Sequence, residues 1–129
     1  MQPYQNATFR SQRGKRNFLA GQAAEHSVRR IYQDRGFDLI AQRWRGGGGE
    51  LDLVFRKGDS LTFVEVKKSR SHELAAQRVS QQQIHRIFNA ASVFASKLEG
   101  GNLLEMQFDV ALVDGAGAVQ ILENALMAF

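Results

Sequence analysis

Two strand-like segments flank a short turn signal, and this pattern constrains the fold more than any other feature of the chain. Residues 50–56 (ELDLVFR) largely alternate, which predicts Leu51, Leu53 and Phe55 on one face; residues 61–67 (LTFVEVK) are rich in β-branched and aromatic residues, and the KGDS between the two is typical of a turn. A two-residue loop at Gly58 and Asp59, or a four-residue loop at 57–60, pairs residues whose numbers sum to 117; a three-residue loop would shift the register. The pattern predicts an antiparallel hairpin in which Asp52 faces Glu65.

This hairpin would hold two carboxylates at close range. Directly opposed residues have Cβ atoms about 4.5–5.5 Å apart, so Asp52 and Glu65 repel each other unless a proton or a cation intervenes. Mg²⁺ or Mn²⁺ binds carboxylate, carbonyl and water oxygens, and the backbone carbonyl of Val66 could be the third protein ligand. Lys67 shares a face with Glu65 and could orient a water and stabilise charge on a phosphate. The group predicts phosphodiester hydrolysis; the alternative is a solvated sheet face with a Glu50–Lys67 ion pair.

The segments around the hairpin extend it into one α/β domain. Residues 1–15 are polar and aperiodic, which predicts a flexible basic N-terminal arm ahead of a folded domain at 16–129. The other predicted elements are a helix at 17–35, a strand at 37–44, a second helix at 74–98, and strands at 105–113 and 118–122. The helix between the third and fourth strands favours a parallel, right-handed crossover. We expect a mixed central β-sheet of about five strands flanked by helices.

Composition excludes several classes of protein. The chain has 129 residues, enough for one core, and no cysteine, which rules out disulfide scaffolds, thiolate zinc sites and cysteine nucleophiles. No apolar stretch approaches the roughly 18 residues of a membrane span, and the N-terminus is not that of a secretory signal. We expect a protein of the reducing cytoplasm with no membrane partner.

Positive charge is concentrated in the first half of the chain. Residues 1–70 carry fourteen Lys and Arg against seven Asp and Glu, whereas residues 71–129 carry three against six. A basic segment favours a nucleic-acid partner, with a solvated basic surface as the alternative. The candidate phosphate contacts are the basic residues around the hairpin and in the arm, namely Arg10, Arg13, Lys15, Arg16, Arg43, Arg45, Lys68 and Arg70.

Several ordered motifs resemble one known family. Gly21, Ala24 and Glu25 form G-x-x-A-E in the first helix, residues 44–53 read WRGGGGELDL, and residues 63–67 read FVEVK. These resemble the YraN-like family of uncharacterised bacterial proteins, whose fold is similar to restriction endonucleases and archaeal Holliday junction resolvases. The resemblance covers about residues 18–129.

That resemblance implies a restriction-endonuclease-like, PD-(D/E)xK core. Its metal site maps onto Glu25, Asp52, Glu65 and Lys67, with Mg²⁺ or Mn²⁺ as the cofactor. It further implies a homodimer acting on DNA rather than RNA, including branched DNA. From the residues alone, Glu25 lies at the edge of the helix's apolar stripe, where it could reach inward, or pair with Arg29 at i+4 as an ordinary boundary residue does.

The chain departs from the family pattern at two positions and is unusual at a third. Relatives usually carry Asn where Arg43 stands, and Lys about where Gln83 stands, which makes Gln83 a candidate phosphate contact. The glycines at 46–49 could cradle a phosphate, although a flexible connector is the more frequent meaning of such a run. The competing functions are a metal-dependent nuclease, a nucleic-acid-binding module on the same fold, and a structural domain.

Overall fold

The structure, a computed structural model, describes the backbone of residues 3–129 and the side chains of residues 19–129. The arm predicted for residues 1–15 falls outside the described side chains. The elements, in chain order, are α1 (Pro3–Asp34), β1 (Asp38–Gly46), β2 (Gly49–Lys57), β3 (Ser60–Lys68), α2 (His72–Ala76), α3 (Gln81–Ser96), β4 (Glu105–Val113) and β5 (Val119–Leu122), with short 3₁₀ turns at Gly101–Leu103 and Leu126–Ala128. Among these described elements, no helix combines the length and apolar character needed to cross a bilayer.

The predicted hairpin register is confirmed. β2 and β3 are joined by Gly58 and Asp59, and their paired residues run from Lys57–Ser60 to Leu53–Val64. Gly58 has a φ of 58°, a left-handed conformation that glycine adopts without steric cost. The hairpin therefore fixes which residues of the two strands meet near the proposed site.

All five strands form one sheet in the order β1-β2-β3-β4-β5. β3 and β4 are parallel, as the crossover predicted, and the other neighbouring pairs are antiparallel. The result is a single α/β domain with a mixed five-stranded sheet, compatible with the restriction-endonuclease-like fold.

The single helix predicted at 74–98 is wrong: the segment forms two helices, α2 and α3. Ser80 separates them with an extended backbone (φ −108°, ψ 155°), and its hydroxyl accepts a hydrogen bond from the amide of Gln83. An N-cap of this kind starts a new helix, since it satisfies an amide that the preceding turn cannot. The apolar periodicity of the sequence continues across the residues between α2 and α3, so it gave no sign of the break.

Two apolar cores lie on opposite faces of the sheet. One packs α1 residues such as Val28 and Tyr32 against the sheet, and we call it the α1-side core. The other packs Ile84, Ile87 and neighbouring residues of α3 against the opposite face, and we call it the α3-side core. Each face is covered by a helix, so the sheet's interior strands are buried on both sides.

The alternation predicted for β2 is wrong at one point. Leu51 and Leu53 have the same parity and were expected on one face, yet Leu51 lies in the α3-side core and Leu53 in the α1-side core. The neighbouring strand is irregular at the same level: opposite this stretch, Arg43 of β1 has a φ of 49°, outside the β region. The change of face falls at Asp52, so the irregularity of the two paired strands lies next to the site.

The glycine run is a tight turn rather than a flexible connector. Gly47 and Gly48, with φ values of 60° and 81°, join β1 to β2 as a two-residue hairpin turn. A Cβ on Gly49 would lie 2.4 Å from the carbonyl oxygen of Arg86. Glycine is therefore needed for the turn itself and for its close packing on α3.

Candidate functional site

Asp52 lies where the pairing of β2 with β3 stops. The last paired residues are Leu53 and Val64, and beyond them the carboxylate Oδ2 of Asp52 accepts a hydrogen bond of 2.8 Å from the amide of Val66. The side chain thus supplies the acceptor that a continued β2 backbone would have supplied. This contact binds Asp52 to β3 next to Glu65.

Glu65 is 6% exposed and is held by two donors. Its Oε1 lies 3.1 Å from Nζ of Lys67 and accepts a 2.9 Å hydrogen bond from Nε2 of Gln83. Among the described residues, Oδ1 of Asp52 and Oε2 of Glu65 receive no N–H donor. These two oxygens are available to a shared proton or a cation.

Burial raises the pKa of both carboxyl groups. For Asp52 burial raises the pKa to about 6, with the charge of Glu25 adding to the rise and the amide of Val66 and the ammonium of Lys67 opposing it. For Glu65 burial raises the pKa to about 8, the charge of Asp52 raises it further, and Lys67 opposes the change. Without a cation, the pair therefore retains a proton at neutral pH.

Two adjoining cavities open onto this pair, and together we call them the carboxylate trough. Glu50, Asp52, Glu65 and Gln83 line both cavities. The α1 chamber, about 670 Å³, is also lined by residues of α1 and by Val66, Lys67, Lys68 and Arg78. The glycine chamber, about 610 Å³, is also lined by the glycine turn and by Arg45, Arg86 and Ile87. The carboxylates thus lie at the middle of an open groove.

Glu25 lines the α1 chamber, but its carboxylate is engaged by a cation. Its Oε2 lies 3.0 Å from Nε of Arg43. The alternative pairing with Arg29 is not formed, because Arg29 bonds to Gln42 and His26 instead. Glu25 therefore faces the trough as one member of an ion pair and acts on Asp52 through its charge.

The structure separates the other predicted phosphate contacts. Arg45 and Lys68 line opposite chambers of the trough, and Arg45 lies 3.8 Å from Glu50 while remaining 82% exposed. Arg70 lines neither chamber. The side chains of Arg10, Arg13, Lys15 and Arg16 lie outside the described residues.

Two basic residues of the trough, Arg78 and Arg86, were missed from the sequence. Arg86 follows Gln83 by three residues on α3, and this helical spacing would have placed it on the same face. Arg78 lies between α2 and α3, where its Nη1 donates a 2.7 Å hydrogen bond to the carbonyl of Lys68. No sequence signal distinguished Arg78 from an ordinary surface arginine.

The donor set fits a hard divalent cation that also binds substrate. Within the described residues, no three His, Cys, Asp or Glu side chains are grouped closely enough to hold a metal ion. Mg²⁺ is commonly held by one or two carboxylates, with waters and substrate phosphate oxygens completing its shell. Asp52 and Glu65 meet that requirement, and a cation between them would remove their mutual repulsion.

Comparison with known proteins identifies the family. Residues 24–113 match the model of the uncharacterised protein family UPF0102. The chain belongs to the UPF0102 family. UPF0102 and the YraN-like family are the same family, so the resemblance drawn from the motifs is confirmed.

Two UPF0102 proteins show how far the similarity extends. One from Ruegeria pomeroyi is 51% identical over 113 residues, covering 88% of this chain and 92% of the relative. One from Roseobacter denitrificans is 55% identical over 113 residues, covering 88% of each chain. The UPF0102 name assigns no activity, so function must be argued from the site.

Of the two departures of this UPF0102 protein, Gln83 lines the trough and Arg43 contacts it through Glu25. Asn, which the resemblance places at position 43, enters the left-handed conformation more readily than Arg does, so the φ of 49° explains that preference. Arg43 retains the conformation and gains the ion pair with Glu25. Gln83 donates to Glu65 and so belongs to the carboxylate pair; its predicted phosphate contact stays a prediction.

Proposed function

We propose that the protein is a Mg²⁺- or Mn²⁺-dependent nuclease that hydrolyses phosphodiester bonds in DNA. The observation that carries the proposal is the convergence of Asp52, Glu65 and Lys67 at the middle of the carboxylate trough. Two buried carboxylates repel phosphate, so they oppose nucleic-acid binding unless a cation offsets their charge. A surface that only bound nucleic acid would gain nothing from them.

Each residue has a defined part in this proposal. Asp52 and Glu65 would hold the cation, with the Val66 carbonyl as a further candidate ligand, and a bound Mg²⁺ or Mn²⁺ supplies polarisation of a phosphate and a lowered pKa of water. Lys67, 15% exposed, orients the attacking water and stabilises negative charge on the phosphate. Gln83 holds the Glu65 carboxylate in place. Glu25 adds negative charge beside the pair, moderated by Arg43.

The substrate and setting follow from charge and family. The basic residues of the trough suit a polyanion, and the resemblance to junction resolvases favours branched DNA over RNA. A homodimer would present two such sites to the arms of one junction. A cytoplasmic location, expected from the absence of cysteine in the chain, completes the proposal.

The experiment compares wild type with Asp52→Asn on four-way-junction and duplex DNA, in Mg²⁺ and in Mn²⁺. We expect junction cleavage by wild type and a loss in Asp52→Asn beyond the ~10–100-fold that removal of an outer-shell partner costs. Calorimetric titration with Mn²⁺, with and without DNA, should show that the same substitution weakens cation binding. Asp59→Asn, an identical change in the exposed hairpin turn, is the matched control.

Two outcomes would contradict the proposal. Cleavage by Asp52→Asn at the wild-type rate would remove Asp52 from the chemistry. Salt-sensitive DNA binding that persists without a divalent cation and in Asp52→Asn, with no cleavage by wild type, would favour the binding module instead.

A further inference from the structure

The glycine chamber is held open by a rigid wall. Gly46, Gly48 and Gly49 line it without side chains, while Gly47 and Gly49 pack against the backbone of α3. Ile87, which also lines the chamber, is 3% exposed, and its burial fixes this turn of α3 on the sheet. Arg86 therefore extends from an anchored backbone position into the chamber's lining.

Most Lys and Arg side chains around the trough bind partners within the protein. Lys67 pairs with Glu65, Arg43 pairs with Glu25, and Arg78 donates to the carbonyl of Lys68. By contrast, among the described residues, the side chain of neither Lys68 nor Arg86 forms a hydrogen bond or an ion pair. Arg86 shares its chamber with three carboxylates and pairs with none of them.

These two residues line different chambers that meet at the carboxylate pair. Lys68 lines the α1 chamber and Arg86 the glycine chamber, and Asp52 and Glu65 line both. A phosphate on the carboxylate pair would thus have one uncommitted cation on each side. Arginine presents a planar fork of donors that matches phosphate oxygens, and each such contact releases counterions from nucleic acid.

We propose that Arg86 binds the substrate phosphate on one side of the scissile phosphate, in the glycine chamber, while Lys68 binds one on the other side. The site then takes a phosphodiester inside a DNA strand, with the chain continuing through both chambers, and not a terminal nucleotide. This inference rests on the proposed function, because it assumes that the scissile phosphate lies at Asp52 and Glu65.

The first test measures DNA binding against salt concentration in EDTA and in an Asp52→Asn background, which prevents turnover and removes one of the two carboxylates that oppose DNA. Adding Arg86→Gln or Lys68→Gln should reduce the slope of log affinity against log salt by about 0.7–0.9, the value of one lost phosphate contact, and adding both by about twice that. Arg30→Gln is the matched control, because Arg30 is exposed on α1 and lines neither chamber. Its addition should leave the slope of Asp52→Asn unchanged.

The second test determines on which side of the scissile phosphate Arg86 and Lys68 each bind. Oligodeoxynucleotides that carry a single uncharged methylphosphonate linkage, moved stepwise past the cleaved bond, should weaken wild-type binding at positions on both sides. In Arg86→Gln the linkage on one side should lose its effect, and in Lys68→Gln the linkage on the other side should lose its effect.

The outcomes separate this inference from the proposed function. If wild type cleaves DNA but Arg86→Gln retains the slope of Arg30→Gln, the Arg86 contact is overturned and the nuclease stands. If both variants lose sensitivity to the same linkage, the two-sided arrangement is overturned. If wild type neither binds nor cleaves DNA, the proposed function fails and this inference fails with it.

Discussion

Two regions of the sheet bury carboxylates in opposite ways. Asp109 on β4 is 2% exposed and accepts hydrogen bonds from the hydroxyl of Tyr32 (2.6 Å), Nε2 of Gln107 (2.9 Å) and the amide of Asn124 (2.7 Å). Asp52 and Glu65 instead face each other at an open trough, with oxygens that no described N–H satisfies. Hydrogen-bond donors therefore compensate the buried charge of Asp109, whereas the charge of the Asp52–Glu65 pair is only partly compensated.

The difference shows which buried acid supports the fold and which is available for chemistry. The donors around Asp109 come from α1, from its own strand and from the segment after β5, so this carboxylate ties the C-terminal segment to the helix. Burial and the bond to Asp109 also raise the pKa of Tyr32, which keeps its hydroxyl a donor. The Asp52–Glu65 pair lowers stability in the absence of a ligand, a cost typical of functional sites.

The largest expected effect on stability comes from Asp109→Ala. It orphans three donors at about 1–3 kcal/mol each, so the free energy of unfolding should fall by about 3 kcal/mol or more, and the thermal midpoint by roughly 10 °C. Thermal unfolding of the variant beside wild type measures the loss, and cleavage per folded molecule should be unchanged.

Asp52→Asn is the opposite control, since it should leave the thermal midpoint near that of wild type or above it. If Asp109→Ala unfolds at the wild-type midpoint, Asp109 does not stabilise the fold. If Asp52→Asn loses as much stability as Asp109→Ala does, the two regions do not differ in this respect.

The sequence predicted the local part of the site and missed the part made by tertiary packing. Hairpin arithmetic placed Asp52 near Glu65 because the register depends only on a turn and on strand alternation. Contacts between α3 and the sheet depend on where the helix docks, so the Gln83–Glu65 bond could not be read from spacing. The spacing of Arg86 from Gln83 shows only that the two share a helix face, and not that this face lines the trough. The left-handed backbone of Arg43 was equally hidden, because Arg gives no signal for it.

Gln83→Ala removes one of the two donors to Glu65. The carboxylate keeps only Lys67, so its orientation toward Asp52 becomes less defined. We expect cleavage and Mn²⁺ affinity to fall by about 10–100-fold, as for other outer-shell partners, with a small change in thermal midpoint.

The matched control is Gln82→Ala, whose side chain is exposed on the same helix. Gln83→Lys, which restores a donor, should retain more activity than Gln83→Ala. Equal activity of Gln83→Ala and Gln82→Ala would show that Glu65 needs no second donor.

The smallest expected effect is a pH dependence that only the carboxylate pair produces. Glu65 has a folded-state pKa of about 8 against an ordinary value of 4.5, so the folded chain holds a proton that the unfolded chain releases. The stability that this proton gives is fully present below about pH 4.5 and is lost as the pH rises through about 8. In EDTA, Glu65→Gln should therefore match wild type near pH 5 and exceed its thermal midpoint near pH 8.5.

That gain should be only a few degrees, at roughly 4 °C per kcal/mol, because the substitution also removes the ion pair of Lys67, which is 15% exposed. Asp109→Asn, read over the same range, separates the two regions, since it should lower the midpoint at both pH values. A wild-type midpoint that rises between pH 5 and 8.5 relative to that of Glu65→Gln would mean that Glu65 is stabilised as a carboxylate. The trough would then resemble the Asp109 network, with its charge already balanced by the protein.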